Sequence, residues 1–394
     1  MYVMKNGEIN ICKKVGEFKL VQTSYKLDDV VVLLKDLTGE MKELPAQERE
    51  KRIQSGVHYS EMLPEEKAPS AEYEKLYEDA LERNKSKVAL HIATLAMRIK
   101  KQGIEKPVFI SLARAGIPVG VLLKRYFKNH THECMDCPHY AISIVRDRGI
   151  DENAMKYIYD TEIASGKHSI NDICFVDGWT GKGVINDQLK EAVADLVKSD
   201  AEHWLGLRDD LYVLADPANV TDYCGTREDY LLPNACMNST ISGLLSRTIL
   251  NSKINCSAGE FHGAVYFKKF EGIDKSNEFI DAVEKHMDAY KYIIVPTKAK
   301  SADTNKVGMD IVMDICNKYG IQDYKKVKPG IGETTRVLLR RVPWRVIINT
   351  NVDINEPDLA HIILLCKEKG IEIVRDDIGN YKCCGVIKEL SADA

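Results

Sequence analysis

The sequence predicts an α/β fold: a parallel sheet with helices on both faces, plus a smaller C-terminal αβα unit. Three observations carry this. Short apolar runs alternate with helix-spaced segments from Pro107 onward. The turns after those runs are charged or glycine-rich, as at the carboxyl edge of a parallel sheet where ligands bind. At 394 residues, 44% apolar and 29% charged, the chain has the material of an ordinary globular protein with more than one core.

Taken in order, residues 1–64 form an N-terminal extension, with a strand-like run "DDVVVLLKDL" and a turn-rich stretch ending in "HYSEMLPEEK". Tyr73 to Lys101 spaces Leu76, Ala80, Leu81, Val88, Ile92 and Leu95 as one or two helices would. The main domain is expected over 65–272. Its strands are "VFISLA", "YAISIV", "ICFVD" and "LYVLAD"; its turns are "RAGIP", "RDRGID" and the glycine turn after Asp177. Each is followed by an amphipathic helix. Residues 221–270, rich in Asn, Cys, Ser and Gly, form an irregular hood over the sheet edge. Residues 273–320 connect through helix, strand "YIIVP" and helix, and 321–394 form the last αβα unit.

No apolar run reaches membrane-spanning length, and the start "MYVMKNGEINICKK" lacks the apolar core of a signal peptide. Eleven cysteines scattered along the chain read as reduced thiols rather than a disulfide framework. A cytoplasmic protein without a membrane partner is expected. The net charge is -4, yet Lys325 to Arg345 carries +6, which leaves -10 over the rest. Contact with a polyanion should concentrate there.

In "ICFVDGWTGKGVIN" an apolar strand ends at Asp177, and a turn of Gly178, Trp179, Thr180, Gly181, Lys182 and Gly183 leads into a helix. Amides of such a turn can surround a phosphate, and the helix adds its positive end. Asp177 is placed to accept from sugar hydroxyls. A Walker A loop is excluded, because Val176 stands where a glycine is needed and Gly183 where Ser or Thr is needed.

These residues resemble the ribose-phosphate loop of type I phosphoribosyltransferases. "SLARAGIPVG" resembles their pyrophosphate loop, with Arg114, Ala115 and Gly116 as binders, and "RDRGID" their mobile loop, with Arg146 and Arg148 closing over the leaving group. The whole chain resembles the StiP-type family of bacteria and phages, which joins such a domain to a Pelota-type RNA-binding domain. The segments carrying the match are "HYSEMLP", "SLARAGIPVG", "RDRGID", "FVDGWTGKG", "DYLLPNACMNSTISGLLSRT" and "FHGAVYF". That family is associated with tellurium-resistance and stress operons and also bears a cysteine-protease label. The resemblance implies a phosphoribosyltransferase-like fold and a glycosyl-transferring enzyme. Its substrate would be phosphoribosyl pyrophosphate or a nucleotide, with Mg2+ on the pyrophosphate. Two departures stand out: the usual second acid is Gly178, and Thr180 follows Asp177 by only three positions.

Two further clusters bear on chemistry. Cys236, in "PNACMNST", and His262, in "FHGAVY", form a candidate nucleophile–base pair, with Asn234 or Asn238 to orient it. "HTHECMDCPH" gathers His130, His132, Cys134, Cys137 and His139; a structural zinc site usually draws on a second Cys-x2-Cys, which the chain lacks, so no metal is expected.

In "KKVKPGIGETTRVLLRR", Lys326 and Lys328 precede Gly330, Gly332 and Glu333, and Arg336, Arg340 and Arg341 follow on one helical face. The pattern Gly330–Glu333–Arg336 resembles the RNA-contacting turn of Pelota, and implies phosphate contacts by the arginines of a structured RNA. The expectation is therefore a phosphoribosyltransferase-like enzyme with an RNA-binding domain. Its rivals are a cysteine hydrolase on Cys236 and His262, and a non-catalytic RNA-binding adaptor that senses nucleotides.

Overall fold

The structure, a computed structural model, describes residues 14–15, 18–255, 259–300 and 308–390. The first 13 residues of the N-terminal extension, Cys12 among them, lie outside the described residues, as do Cys256 and part of the connecting segment.

The main sheet contains β1 (Val31–Val32), β2 (Val108–Leu112), β3 (His139–Ile142), β4 (Ile173–Trp179), β5 (Leu211–Ala215) and β6 (Cys224–Thr226). Its order is β6-β5-β4-β2-β3-β1, parallel throughout. β2 and β5 are buried along their whole length, as strands covered on both faces must be. The one hydroxyl inside β2, Ser111, donates to Gly116 O at 3.0 Å and bonds His139 at 2.8 Å, so no polar group is stranded. The N-terminal extension supplies edge strand β1.

Helices flank the sheet: α1 (Ala46–Gln54), α2 (Ala71–Lys101), α3 (Ile117–Asn129), α4 (Glu152–Ile158) and α5 (Val184–Ser199). α2 is one helix of 31 residues, capped by the Ser70 side chain, with Glu72 and Glu74 in its first turn and Arg98, Lys100 and Lys101 in its last. β4 runs two residues past Asp177, so Gly178 and Trp179 belong to the strand and the turn shortens to Thr180–Gly183.

After β6 come α6 (Pro233–Cys236), α7 (Ser276–Glu284) and α8 (Gly308–Tyr319). The expected strand "YIIVP" is absent. No strand edge is available there, Ile294 is 92% exposed, and the carbonyls of Val295 and Pro296 are met by the side chains of Lys101 and Arg98. The C-terminal unit holds β7 (Val327–Pro329), α9 (Ile331–Arg340), β8 (Pro343–Asn349), α10 (Ala360–Lys369), β9 (Glu372–Asp376) and β10 (Cys383–Ile387), in the sheet order β7-β10-β8-β9. The molecule is thus mixed α/β, a helix-flanked parallel sheet with a smaller C-terminal domain. Among the described residues no helix is long and apolar enough to cross a membrane.

Candidate functional site

The C-terminal domain docks on the carboxyl edge of the main sheet, and the glycine turn is the docking point. A Cβ on Gly181 would lie 2.8 Å from Pro329 O, and one on Gly332 would lie 2.7 Å from the Trp179 ring. Arg336 stacks over that ring at 4.3 Å. Tyr381 Oη donates to Gly181 O at 2.7 Å, and Lys182 Nζ donates to Tyr324 O at 2.8 Å and Val327 O at 3.0 Å. These glycines and this lysine are spent on packing two domains together.

The expected phosphate cradle is largely occupied from within. Thr180 N donates to Ala215 O at 3.1 Å, Gly183 N to Thr180 Oγ1 at 3.0 Å, and Gly178 N to the Asp177 carboxylate at 2.7 Å. Burial pushes the Asp177 carboxyl up to about 7. Arg114 is paired with Glu66 at 2.8 Å and also donates to Leu245 O, while Gly116 N is bonded to Leu112 O. Arg148 is held by Glu61, beside a donation to Leu250 O, but Arg146 forms no ion pair among the described residues. Ala115 lines the same cavity, of about 240 Å³, at the edge.

The basic residues of the C-terminal unit divide. Lys326 pairs with Glu389 at 2.9 Å. Lys328, Arg336, Arg340 and Arg341 instead line the cleft between the domains, where Glu333 is held by Arg336 at 2.9 Å. Burial alone would raise the Glu333 carboxyl, yet Arg336, Lys328, Lys182 and Arg146 outweigh it and hold it low. Gly330, at φ +92°, opens α9 and lies over Asp229, whose carboxylate accepts from Ile331 N at 2.9 Å and Lys382 N at 2.8 Å. The stripe read for RNA therefore faces the partner domain rather than open solvent.

No hydrogen bond joins Cys236 to His262. His262 belongs to another cluster: its Nδ1 meets Ser143 Oγ at 2.8 Å, its amide donates to Asp151, and burial lowers its pKa to about 4. Cys236 ends α6, and its carbonyl accepts from Tyr73 Oη at 2.6 Å. It is 1% exposed, on the wall of a cavity of about 430 Å³ shared with Tyr73, Asn238 and Ser239. Burial and the nearby Asp358 charge push its thiol up.

A different histidine shares this neighbourhood. The Tyr73 ring packs edge-on against His361 at 6.4 Å, and the charge of Asp358 acts on both His361 and Cys236. Thr335 Oγ1 gives its one proton to Ile331 O at 2.7 Å, so it accepts from His361 Nε2, also at 2.7 Å. This assigns the hydrogen to Nε2 and leaves Nδ1 as a buried lone pair without a partner. Burial drops the His361 pKa to about 4, so the ring is neutral. Sequence reading missed His361 because it lies in the other domain, inside a helix that reads as apolar.

Of the five metal-type residues in "HTHECMDCPH", His130 bonds Asp288 at 2.8 Å and His139 bonds Ser111 and Asp29 O. Among the described residues no group of three or more His, Cys, Asp or Glu gathers as metal ligands. At the sheet edge Asp177 stands with Gly178 at the neighbouring position and cations across the cleft, a donor set that does not fit Mg2+ unless a ligand brings further oxygens.

Residues 23–284 match the family model described as tellurite-like stress resistance cysteine protease StiP, and residues 306–389 match that of the PELOTA RNA binding domain. A curated protein of Acinetobacter baylyi (strain ATCC 33305 / BD413 / ADP1), cysteine protease StiP, is 31% identical over 379 residues, covering 93% of this chain and 94% of the relative. No solved structure matches. These matches overturn the expected ribosyl transfer and the transferase class, since both the family and the relative are named for a cysteine protease. The geometry gives the physical side of that correction: a lone acid, three committed loop amides and a lysine used in docking. The chain belongs to the StiP family.

Proposed function

We propose that this chain is a thiol-dependent hydrolase of peptide bonds, with Cys236 as nucleophile and His361 as base. The observation that carries the reading is the unpartnered Nδ1 lone pair of a neutral, buried His361 in the neighbourhood of the cavity-lining Cys236. With the thiol pKa raised, attack begins from the protonated form. Nδ1 takes the thiol proton as sulfur bonds the substrate carbonyl carbon, then returns it to the departing amine. Water cleaves the resulting thioester, releasing the acid and restoring the thiol. The Asp358 carbonyl and carboxylate favour the proton at His361. Ser239 Oγ, buried and without a partner beside the cavity, is the candidate donor to the developing oxyanion.

The scaffold is read as a type I phosphoribosyltransferase-like sheet put to another use, and the C-terminal domain as an RNA-binding module by its family match. Scattered thiols favour a cytoplasmic setting. Hydrolysis of a quenched fluorescent casein by the full-length protein tests the chemistry. Cys236→Ala should abolish turnover, and His361→Gln should lower kcat by about 10²- to 10⁴-fold. The exposed Cys134→Ser variant should match the wild type. Wild-type rates in Cys236→Ala would refute the nucleophile.

A further inference from the structure

Two sequence signals far apart in the chain, the turn after β4 and the basic run around α9, converge on one cleft between the domains. Its connected lobes measure about 240, 240 and 590 Å³ and share Tyr59 and Lys328 as lining residues. The acids along the cleft walls are mostly committed: Glu66 to Arg114, Glu50 to Arg341 and Glu333 to Arg336. Five further cations have no acidic partner among the described residues. Lys328, 8% exposed, forms no ion pair, and Arg146 and Arg247 stack on Tyr59 at 6.0 and 4.1 Å. Arg340 donates to the neutral side chain of Asn238. Arg49, 3% exposed, leaves Nε unpartnered, as does Arg247.

Like charges held this close, out of water, oppose one another. Burial, with neighbouring arginines adding to it, lowers the Arg247 guanidinium to about 9 and Arg49 to about 10. The group that relieves such a cluster carries several negative charges in a short span and offers many acceptor oxygens. Guanidinium forks match phosphate geometry.

We propose that the cleft between the main sheet and α9 is a binding site for linked phosphates, supplied by a free nucleoside polyphosphate or by the 5′-triphosphate end of an RNA. Recognition comes from Arg146, Arg247, Lys328 and Arg340, drawn from both domains, so binding also clamps the domains together. The site shares no step with the thiol chemistry, and Cys236→Ala protein should bind as the wild type does.

The test is thermal shift and calorimetric titration of the full chain with inorganic tripolyphosphate, ATP, a 5′-triphosphorylated RNA and the same RNA with a 5′-hydroxyl. Tripolyphosphate should bind and raise Tm in EDTA, because the protein's own cations supply the charge. Arg247→Gln and Lys328→Met should each weaken binding by about tenfold or more. Without ligand their Tm should hold or rise, since each removes a mutually repelled cation; that outcome shows the fold intact. Tighter binding of triphosphorylated RNA than of ATP assigns the phosphates to an RNA end, and the reverse order to a free nucleotide. The proposal is overturned if tripolyphosphate gives no shift at millimolar concentration, if binding vanishes in EDTA, if both variants bind like the wild type, or if 5′-hydroxyl RNA binds as tightly as its triphosphate.

Discussion

Asp177 illustrates how one side chain can be recognised in sequence and yet change role in the fold. Burial raises its pKa from the ordinary carboxylate value to about 7, so the folded protein holds this proton over a range where the unfolded chain has lost it. The stability it contributes is complete below the unfolded pKa and is lost as pH rises toward 7. Asp177→Asn should therefore gain on the wild type between pH 4 and pH 7, by at most about 4 kcal/mol. Urea denaturation across that range measures it; a difference that stays flat would mean the carboxyl is not buried in this way. His361 has the opposite sign. Its pKa is lowered to about 4, so its contribution is full above the unfolded value and is lost as pH falls through 6.5 toward 4.

The turn after β4 and the start of α9 behave as one joint. Gly332 has no room for a side chain because the Trp179 ring occupies that space. Gly332→Ala should cost about 1–3 kcal/mol by overpacking. In a Trp179→Ala background the added methyl should cost far less, so a double-mutant cycle on urea stability should show strong coupling. Absence of coupling would separate the two residues. Glycines that in sequence resemble a ligand-binding turn can equally mark close approach of two pieces of backbone. Only contacts distinguish the two uses, as Gly181 against Pro329 O does here.

At the scale of the molecule, two domains meet over a polar seam closed by Asp229, which accepts from two amides of the C-terminal domain while burial raises its pKa to about 6. Asp229→Ala removes both acceptors and leaves two N–H groups unpaired, at about 1–3 kcal/mol each where water cannot replace it. Calorimetry should then resolve two transitions where the wild type melts in one. A single transition in the variant would place the coupling elsewhere.

Much of this architecture was legible along the chain. The alternation of short apolar runs with helix-spaced segments set the parallel sheet, and the last strands and helices followed the same periodicity, because each element needs one buried face and its spacing records which. The family could also be read from motifs local in sequence, such as "FVDGWTGKG" and "PNACMNST". Tertiary structure alone decided the partners. Cys236 lies near His361 and apart from His262, and the basic stripe of α9 turns inward to face Tyr59 and Arg247. Both outcomes depend on how two domains dock. Docking energy comes from contacts between residues remote in sequence, such as Trp179 against Gly332 and Tyr381 against Gly181. Local spacing carries no record of those contacts.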